Sequence, residues 1–256
     1  MPENELWLTA QFNEYLAGPA NAILGIFNLH AKDPSHPWEN WIVCELIVVA
    51  FLMLTAALVR SSLSPDKPGK LQMTFEWIYG FLTDNAHQAG IQHPRPFVPY
   101  FGTIFLFILC MNLIGIIPAF ESPTMSPSVP AGLAICTFIY YNFFGIKAQG
   151  LGGHLAHFAG PVRFGSIIAN FFIMVLMVPI ELISHLARPL SLTVRLYGNM
   201  FGGEQVTNVF LSLTYLVFPA IFMGLHVFVA LVQTYVFTLL TMIYVGLATH
   251  VQEHHH

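Results

Sequence analysis

One arginine in this 256-residue chain stands where a charge is costly. Arg195 lies far inside an apolar run, and no further Lys or Arg follows it through His256. An arginine at mid-depth in a bilayer costs about 2.5–3.5 kcal/mol on insertion scales. Its guanidinium keeps its proton in any protein environment. It can therefore act as a fixed positive field, able to discharge a carboxyl group and to block a proton leak, but unable to carry a proton itself. The competing reading is a side chain that snorkels to the surface, which the distance to the nearer turn disfavours.

Other polar residues share its neighbourhood. At 100° per residue, Glu181, His185, Arg188, Arg195 and Asn199 fall within an arc of about 80°, provided Pro189 leaves the helical phase intact. Glu204, nine residues beyond Arg195, lies about 180° away, too far round for a simple ion pair along one helix. In the last apolar run His226 and Gln233 are seven apart and share a face, with Tyr244 near the same angle. Singly, His226 reads as readily as a packing histidine, and Gln233 as interhelical glue. Glu204 is harder to dismiss, because a buried carboxylate needs a partner or water. Together, carboxyls, imidazole and amides at graded depth describe a hydrated proton path more economically than separate accidents.

Composition says what must position them. Hydrophobic residues make up 55% of the chain and charged residues 9%, against about a quarter charged in a soluble domain. Lipid must cover much of such a surface. A net charge of −4 without a basic block argues against a nucleic-acid partner. Cys44, Cys110 and Cys136 sit in separate apolar runs and read as small buried residues, with neither a disulfide framework nor a metal site. The first 30 residues lack a basic n-region and do not read as a cleaved leader.

A span needs roughly 20 apolar residues. Trp41 to Val59, Val98 to Pro118 and about Val129 to Ile146 are three such runs, and Glu45 falls near the outer end of the first. Lys70 to Gly90 is amphipathic at helical period and reads as lying along a membrane face. From Gly165 to Phe218 the chain is mostly apolar, interrupted by Pro179 and Pro189 but by no polar loop. If helical it is about 75 Å long, more than twice the hydrocarbon thickness. A further run from Pro219 to Ala248 is again too long to stand upright. The expected fold is an all-α integral membrane protein of about five crossing helices and one interfacial helix, the last two long, strongly tilted and paired as a hairpin. Its divisions are a tail at 1–40 with room for an interfacial helix, three spans at 41–164, the hairpin at 165–250 and a short tail at 251–256.

Lys and Arg placement sets orientation. Arg60, Lys67, Lys70 and Arg95 lie between the first two spans, and Lys147 and Arg163 follow the third. The N-terminal tail holds only Lys32, and neither the Glu121–Ser126 loop nor the Tyr215–Pro219 turn holds any. This places the N-terminus outside and the C-terminus inside.

The run RPLSLTVRLYGNMFGGEQV, Arg188 to Val206, closely resembles the signature of subunit a of F-type ATP synthases, the membrane stator beside a rotating c-ring. PIEL at Pro179–Leu182, MNLIGIIP at Met111–Pro118 and LHVFVALVQTYVFTLLTMIYV at Leu225–Val245 extend the likeness, which covers roughly Lys70 to His250. The resemblance implies that Arg195 is the essential arginine facing each passing c-subunit carboxyl. It implies that Asn199, Glu204, His226 and Gln233 line an outer half-channel. Glu181, Ser184, Ser191 and His185 would line an inner one. It implies a non-catalytic subunit without cofactor, metal or nucleotide site, in a bacterial cytoplasmic membrane. The implied partners are the c-ring, peripheral-stalk b subunits, lipid and a proton, ahead of a sodium ion. The chain departs from the pattern at Gly115, where some bacterial relatives carry an aspartate; Glu121 is the available substitute.

Two rivals predict different features. A stand-alone transporter with an arginine for an anionic substrate calls for paired internal repeats, and the two halves show none. A self-contained proton channel would conduct without partners. An intramembrane enzyme would need a nucleophile–base pair or an HExxH spacing, which the histidines lack.

Overall fold

In the computed structural model, residues 5–26, 33–64, 68–117, 120–158, 167–213 and 217–249 are described. Seven α-helices carry these residues: α1 (Trp7–Ile26), α2 (Asn40–Ser61), α3 (Lys70–Gln88), α4 (Val98–Ile114), α5 (Ser128–Phe158), α6 (Ile167–Leu213) and α7 (Val217–Thr249), with a 3-10 turn at Pro123–Met125. Four segments are long and apolar enough to cross a membrane: Asn40–Ser61, Ser128–Gly150, Val175–Ser212 and Ala220–Thr249. Val98–Ile114 is a shorter apolar helix. The five apolar helices expected from the sequence are thus present, and α3 takes the place of the amphipathic segment. Lys32, Lys67, Arg163, Tyr215 and the 251–256 tail lie outside the described residues.

Backbone polar groups cannot be left bare in hydrocarbon, which is why apolar runs of this length become helices. Helix α2 buries only a narrow stripe, Val43, Cys44 and Val48, while Phe51, Met53, Leu54 and Leu58 are uncovered. That is the pattern of a helix with one flank on protein and the rest on lipid. Arg60 sits in its last turn, where a cation meets the negative end of the helix dipole. Helix α5 is interrupted at Gly150, whose φ of 72° is backbone that favours glycine.

The chain forms two compact units. The first comprises Met1–Gln72, Leu106–Ser126 and Gly198–Val232. In it α1 is stitched to the start of α2 by polar groups. The Asn13 side chain donates to Glu5 Oε1 at 2.6 Å and to the Trp38 carbonyl at 3.1 Å, and accepts the Trp38 amide at 2.9 Å. Phe12 meets Trp38 edge-on at 5.6 Å. The loop after α4 folds back tightly: Ser122 Oγ donates to the Met111 carbonyl at 2.8 Å, and Thr124 Oγ1 to Asn112 Oδ1 at 2.8 Å. Phe210 of α6 stacks on Phe222 of α7 at 4.1 Å.

The second unit comprises Met73–Phe105, Pro127–Tyr197 and Gln233–His256. Its core joins Leu82 and Ala86 of α3, Ile91 of the turn after it, Val98 and Phe101 of α4, Tyr141 of α5, and Met242 and Val245 of α7. Lipid tails are as apolar as these side chains, so close packing holds them together. Helix α3 ends in a Schellman motif. Ile91 N–H reaches the Ala86 carbonyl at 3.1 Å and Gly90 N–H the His87 carbonyl at 3.0 Å, with Gly90 at φ 88°, as this cap requires. Gly246 lets α7 approach that end: a Cβ there would collide with the Ala89 carbonyl oxygen.

Helix α6 runs 47 residues with Pro179 and Pro189 inside it, about 70 Å at 1.5 Å per residue. The prolines therefore do not end the helix, and the phase that relates Glu181 to Arg195 carries through. In the first unit α6 pairs antiparallel with α7, 210 with 222 and 203 with 226; in the second, Arg188 of α6 meets Tyr244 of α7.

Candidate functional site

Along α6, Leu192, Leu196 and Met200 are buried, spaced by four residues on one flank. Ser191, Val194, Arg195 and Asn199 are exposed, as are Ile183, Leu186 and Leu190. Arg195 thus stands on an apolar flank that the described residues leave uncovered. Among the described residues no carboxyl group forms an ion pair with it. An unpaired guanidinium facing hydrocarbon is expensive, so that flank calls for a polar counterpart.

Toward the N-terminal half of α6 a group of polar side chains spans three helices. Arg188 Nη2 lies 3.9 Å from Glu181 Oε1, with side chains 25% and 34% exposed. Its guanidinium sits over the Tyr244 ring of α7, 5.4 Å from the centroid, and reaches the Tyr141 hydroxyl of α5. His185 is only 8% exposed. Its Nε2 is 3.0 Å from Asn142 Oδ1 and 3.5 Å from the Tyr141 hydroxyl, and its ring contacts Phe138 and Tyr141 edge-on. A proton on Nε2 makes His185 the donor to Asn142. The sequence arc is therefore divided: His185 turns into the protein, Arg188 and Glu181 lie half-buried, and Arg195 and Asn199 face out. Ser184 and Ser191 are exposed and join none of these contacts. Gln233 of α7 is buried at 3% exposure, beside buried Thr234, Thr238 and Thr241.

In the other unit, Glu204 is half-buried and close enough to Glu121 for the two carboxyls to interact electrostatically. His226 is half-buried against Gly203, the residue before Glu204. A Cβ on Gly203 would fall 2.9 Å from the imidazole Nδ1, so glycine makes room for the ring. Glu121 accepts the Asn40 amide at 3.2 Å. At Gly115 a Cβ would meet Ser122 Cβ at 2.8 Å and its backbone N at 3.0 Å. The departure noted at this position has a steric reason, since the folded loop fills the space a side chain would need.

Glu204 and His226 are thus brought onto adjoining turns, as are Glu181, His185 and Arg188. Sequence reasoning missed Tyr141 and Asn142, the partners of His185; an asparagine in an otherwise apolar span was the available signal. It also missed the three-helix setting of Arg188, which no spacing within α6 reveals. The cysteines depart from expectation: Cys44 is buried, but Cys110 is half-buried and Cys136 exposed, as residues of a flank open to lipid or a partner.

Long apolar helices, a charge on an uncovered flank of one of them and two polar groups on that same helix define a polytopic membrane protein. A family model described as ATP synthase A chain matches residues 41–246. The chain is 54% identical over 235 residues to ATP synthase subunit a of Solibacter usitatus, covering 92% of this chain and 97% of the relative. It is 43% identical over 246 residues to the protein of the same name in Koribacter versatilis, covering 96% and 97%. It is 39% identical over 199 residues to ATP synthase subunit a 3 of Pelobacter propionicus, covering 78% and 82%. The chain belongs to the ATP synthase subunit a family.

Proposed function

We propose that this chain is the ion-translocating stator subunit of a rotary ATP synthase. Arg195 faces the carboxyl groups of a c-ring and separates two half-channels. Asn199, Glu204, His226 and Gln233 line the outer half-channel; Glu181, His185, Ser184 and Ser191 line the inner one. The reading rests above all on Arg195, a permanent charge on an uncovered flank of α6 with no carboxyl partner among the described residues. Family membership supplies the context.

The chemistry follows from the residue types. A proton enters from outside past Glu204 and His226 and neutralises a c-subunit carboxylate. The neutral site can rotate into lipid, whereas the ionised one would pay a large desolvation cost. After nearly a full turn it meets the inner path near Glu181 and releases its proton, because the fixed charge of Arg195 favours the ionised carboxyl. Since Arg195 never gives up its proton, it cannot pass one straight across. The subunit is non-catalytic; ATP chemistry belongs to its partners, and b subunits of the peripheral stalk hold it against rotation. Its segments divide at 40, 164 and 250, in a bacterial cytoplasmic membrane with the N-terminus outside. The ion is a proton, ahead of sodium.

Arg195→Ala in the assembled complex tests this. The expected result is loss of both coupled ATP synthesis and ATP-driven pumping with assembly intact. Wild-type coupling in that variant would overturn the reading.

A further inference from the structure

The N-terminal helix lies outside the family match at 41–246, yet it is tied to the Glu204 group through one residue. Asn40, the first residue of α2, uses both ends of its amide. Its Oδ1 accepts the Leu6 backbone N–H at 3.1 Å and its Nδ2 donates to Glu121 Oε1 at 3.2 Å. Glu121 is held from a second side, because its backbone hydrogen-bonds Cys44. The turn that follows packs on α2 and is fastened to α4 by Ser122 and Thr124. A carboxyl on a short interhelical loop would ordinarily turn to water. This one is fixed from α1, α2 and α4, within electrostatic range of Glu204.

We propose that Glu121 is a proton-relay residue that hands protons to Glu204, and that α1 positions it through Asn40. The inference rests on the stator reading. A carboxyl both accepts and donates a proton, so Glu121 can take one from the outer solution and pass it through water toward Glu204, with which it interacts electrostatically. Gly115 offers no second carboxyl, because Ser122 fills its surroundings.

The groups around the relay are those expected at an entrance. Cys44 lies beside it on α2, Glu204 of α6 is within electrostatic range, and His226 of α7 packs on the residue before Glu204. On the α1 side Glu5 is 3.8 Å from His36, and His36 is 3.7 Å from Asp33. Asp33 and His36 are exposed, whereas the Glu5 side chain is only 8% exposed. These three form an acid–base patch at the end of the seam that Asn40 closes.

The test uses the assembled ATP synthase in sealed vesicles, with proton-driven ATP synthesis followed against the pH of the outer compartment. Glu121→Gln should slow synthesis several-fold, most at high outer pH, where protons are scarce, and Glu121→Asp should restore most of the rate. Asn40→Leu, which keeps the carboxyl but frees it, should give the same pH-dependent defect in weaker form. Wild-type rates for Glu121→Gln at every outer pH would overturn the relay. A defect in Asn40→Leu that is equal at all pH values would make the seam merely structural. Should Glu121→Gln fail to assemble, Asn40→Asp supplies the readout: a like charge beside Glu121 must shift the outer-pH profile, and an unshifted profile overturns the proposal. Arg195→Ala in the same vesicles separates the two ideas. If it stays coupled, the stator reading fails; if it is uncoupled while Glu121→Gln behaves as wild type, only the relay fails.

Discussion

Two glycines that admit a neighbour at similar range should respond oppositely to the same substitution. At Gly203 an added Cβ would meet His226 Nδ1 at 2.9 Å, and at Gly246 it would collide with the Ala89 backbone carbonyl. Both sit inside helices, where alanine is favoured over glycine by about 0.8–1 kcal/mol. An imidazole can yield by a small rotation about its own side-chain bonds, costing about 0.5–1.5 kcal/mol for a 30° departure from its rotamer. The two effects at Gly203 nearly cancel, and Gly203→Ala should leave stability within about 1 kcal/mol of wild type. The carbonyl at Ala89 follows the Schellman end of α3 and cannot move alone. The cost there belongs at the top of the overpacking range, about 3 kcal/mol, for a net loss of about 2 kcal/mol. For a chain of this size that is a fall of roughly 4–8 °C in Tm. Thermal unfolding of the two variants in one detergent or nanodisc measures it. Transport should rank them the other way, since Gly203→Ala displaces His226 and should slow proton-driven synthesis several-fold in fully assembled complex. Equal stability of the two variants, or a less stable Gly203→Ala, would refute the reasoning.

Other expectations follow from the same contacts. His185→Leu should cost about 1–3 kcal/mol by removing the buried imidazole that meets Asn142 Oδ1, and His185→Gln should recover part of it, read by thermal unfolding. Arg188→Ala should cost about 1 kcal/mol, mostly from the Tyr244 ring, because the Glu181 pair is about a third exposed and worth little when screened. Arg188→Lys should keep less than half of that, since an ammonium lacks the planar fork. In the exposed loop before α2, Ser35 Oγ–H and N–H hydrogen bonds hold the Asp33 carboxyl below the usual carboxylate range. Its folded value lies below its unfolded one, so its ordering of the loop is present above the ordinary carboxylate range. It is lost as pH falls through the lowered value. Hydrogen exchange at the Ser35 amide should accelerate relative to its neighbours only at the acid end, and Asp33→Asn should abolish that dependence.

Much of this was legible in the sequence, for identifiable reasons. A bilayer leaves an apolar run few options besides a helix, so α2, α4 to α7 and their order could be read from composition alone. Gly90 marked the end of α3, as a left-handed cap does. Arg195 was legible because a charge well inside a long, mostly apolar run has no cheap explanation. Contacts across helices were not. His185 shares an arc with Arg195, yet one turns inward and the other out, because the edge of the buried flank falls between them and depends on where α5 packs. The crowding of Gly115 by Ser122 and the packing of His226 on Gly203 likewise depend on how the chain folds back on itself. Neither proline broke α6, because a long apolar helix in lipid has no better place to leave its backbone groups.

The central claim is that the α6 flank bearing Arg195 is covered by another protein and not by lipid. Single cysteines at 191, 194 and 198, and at the buried positions 192, 196 and 200, can be crosslinked in the assembled complex with c-subunits carrying a cysteine beside their carboxyl. Linkage confined to 191, 194 and 198 is the result expected. Linkage at 192, 196 and 200, or none at any of the six in coupled, assembled complex, would contradict it.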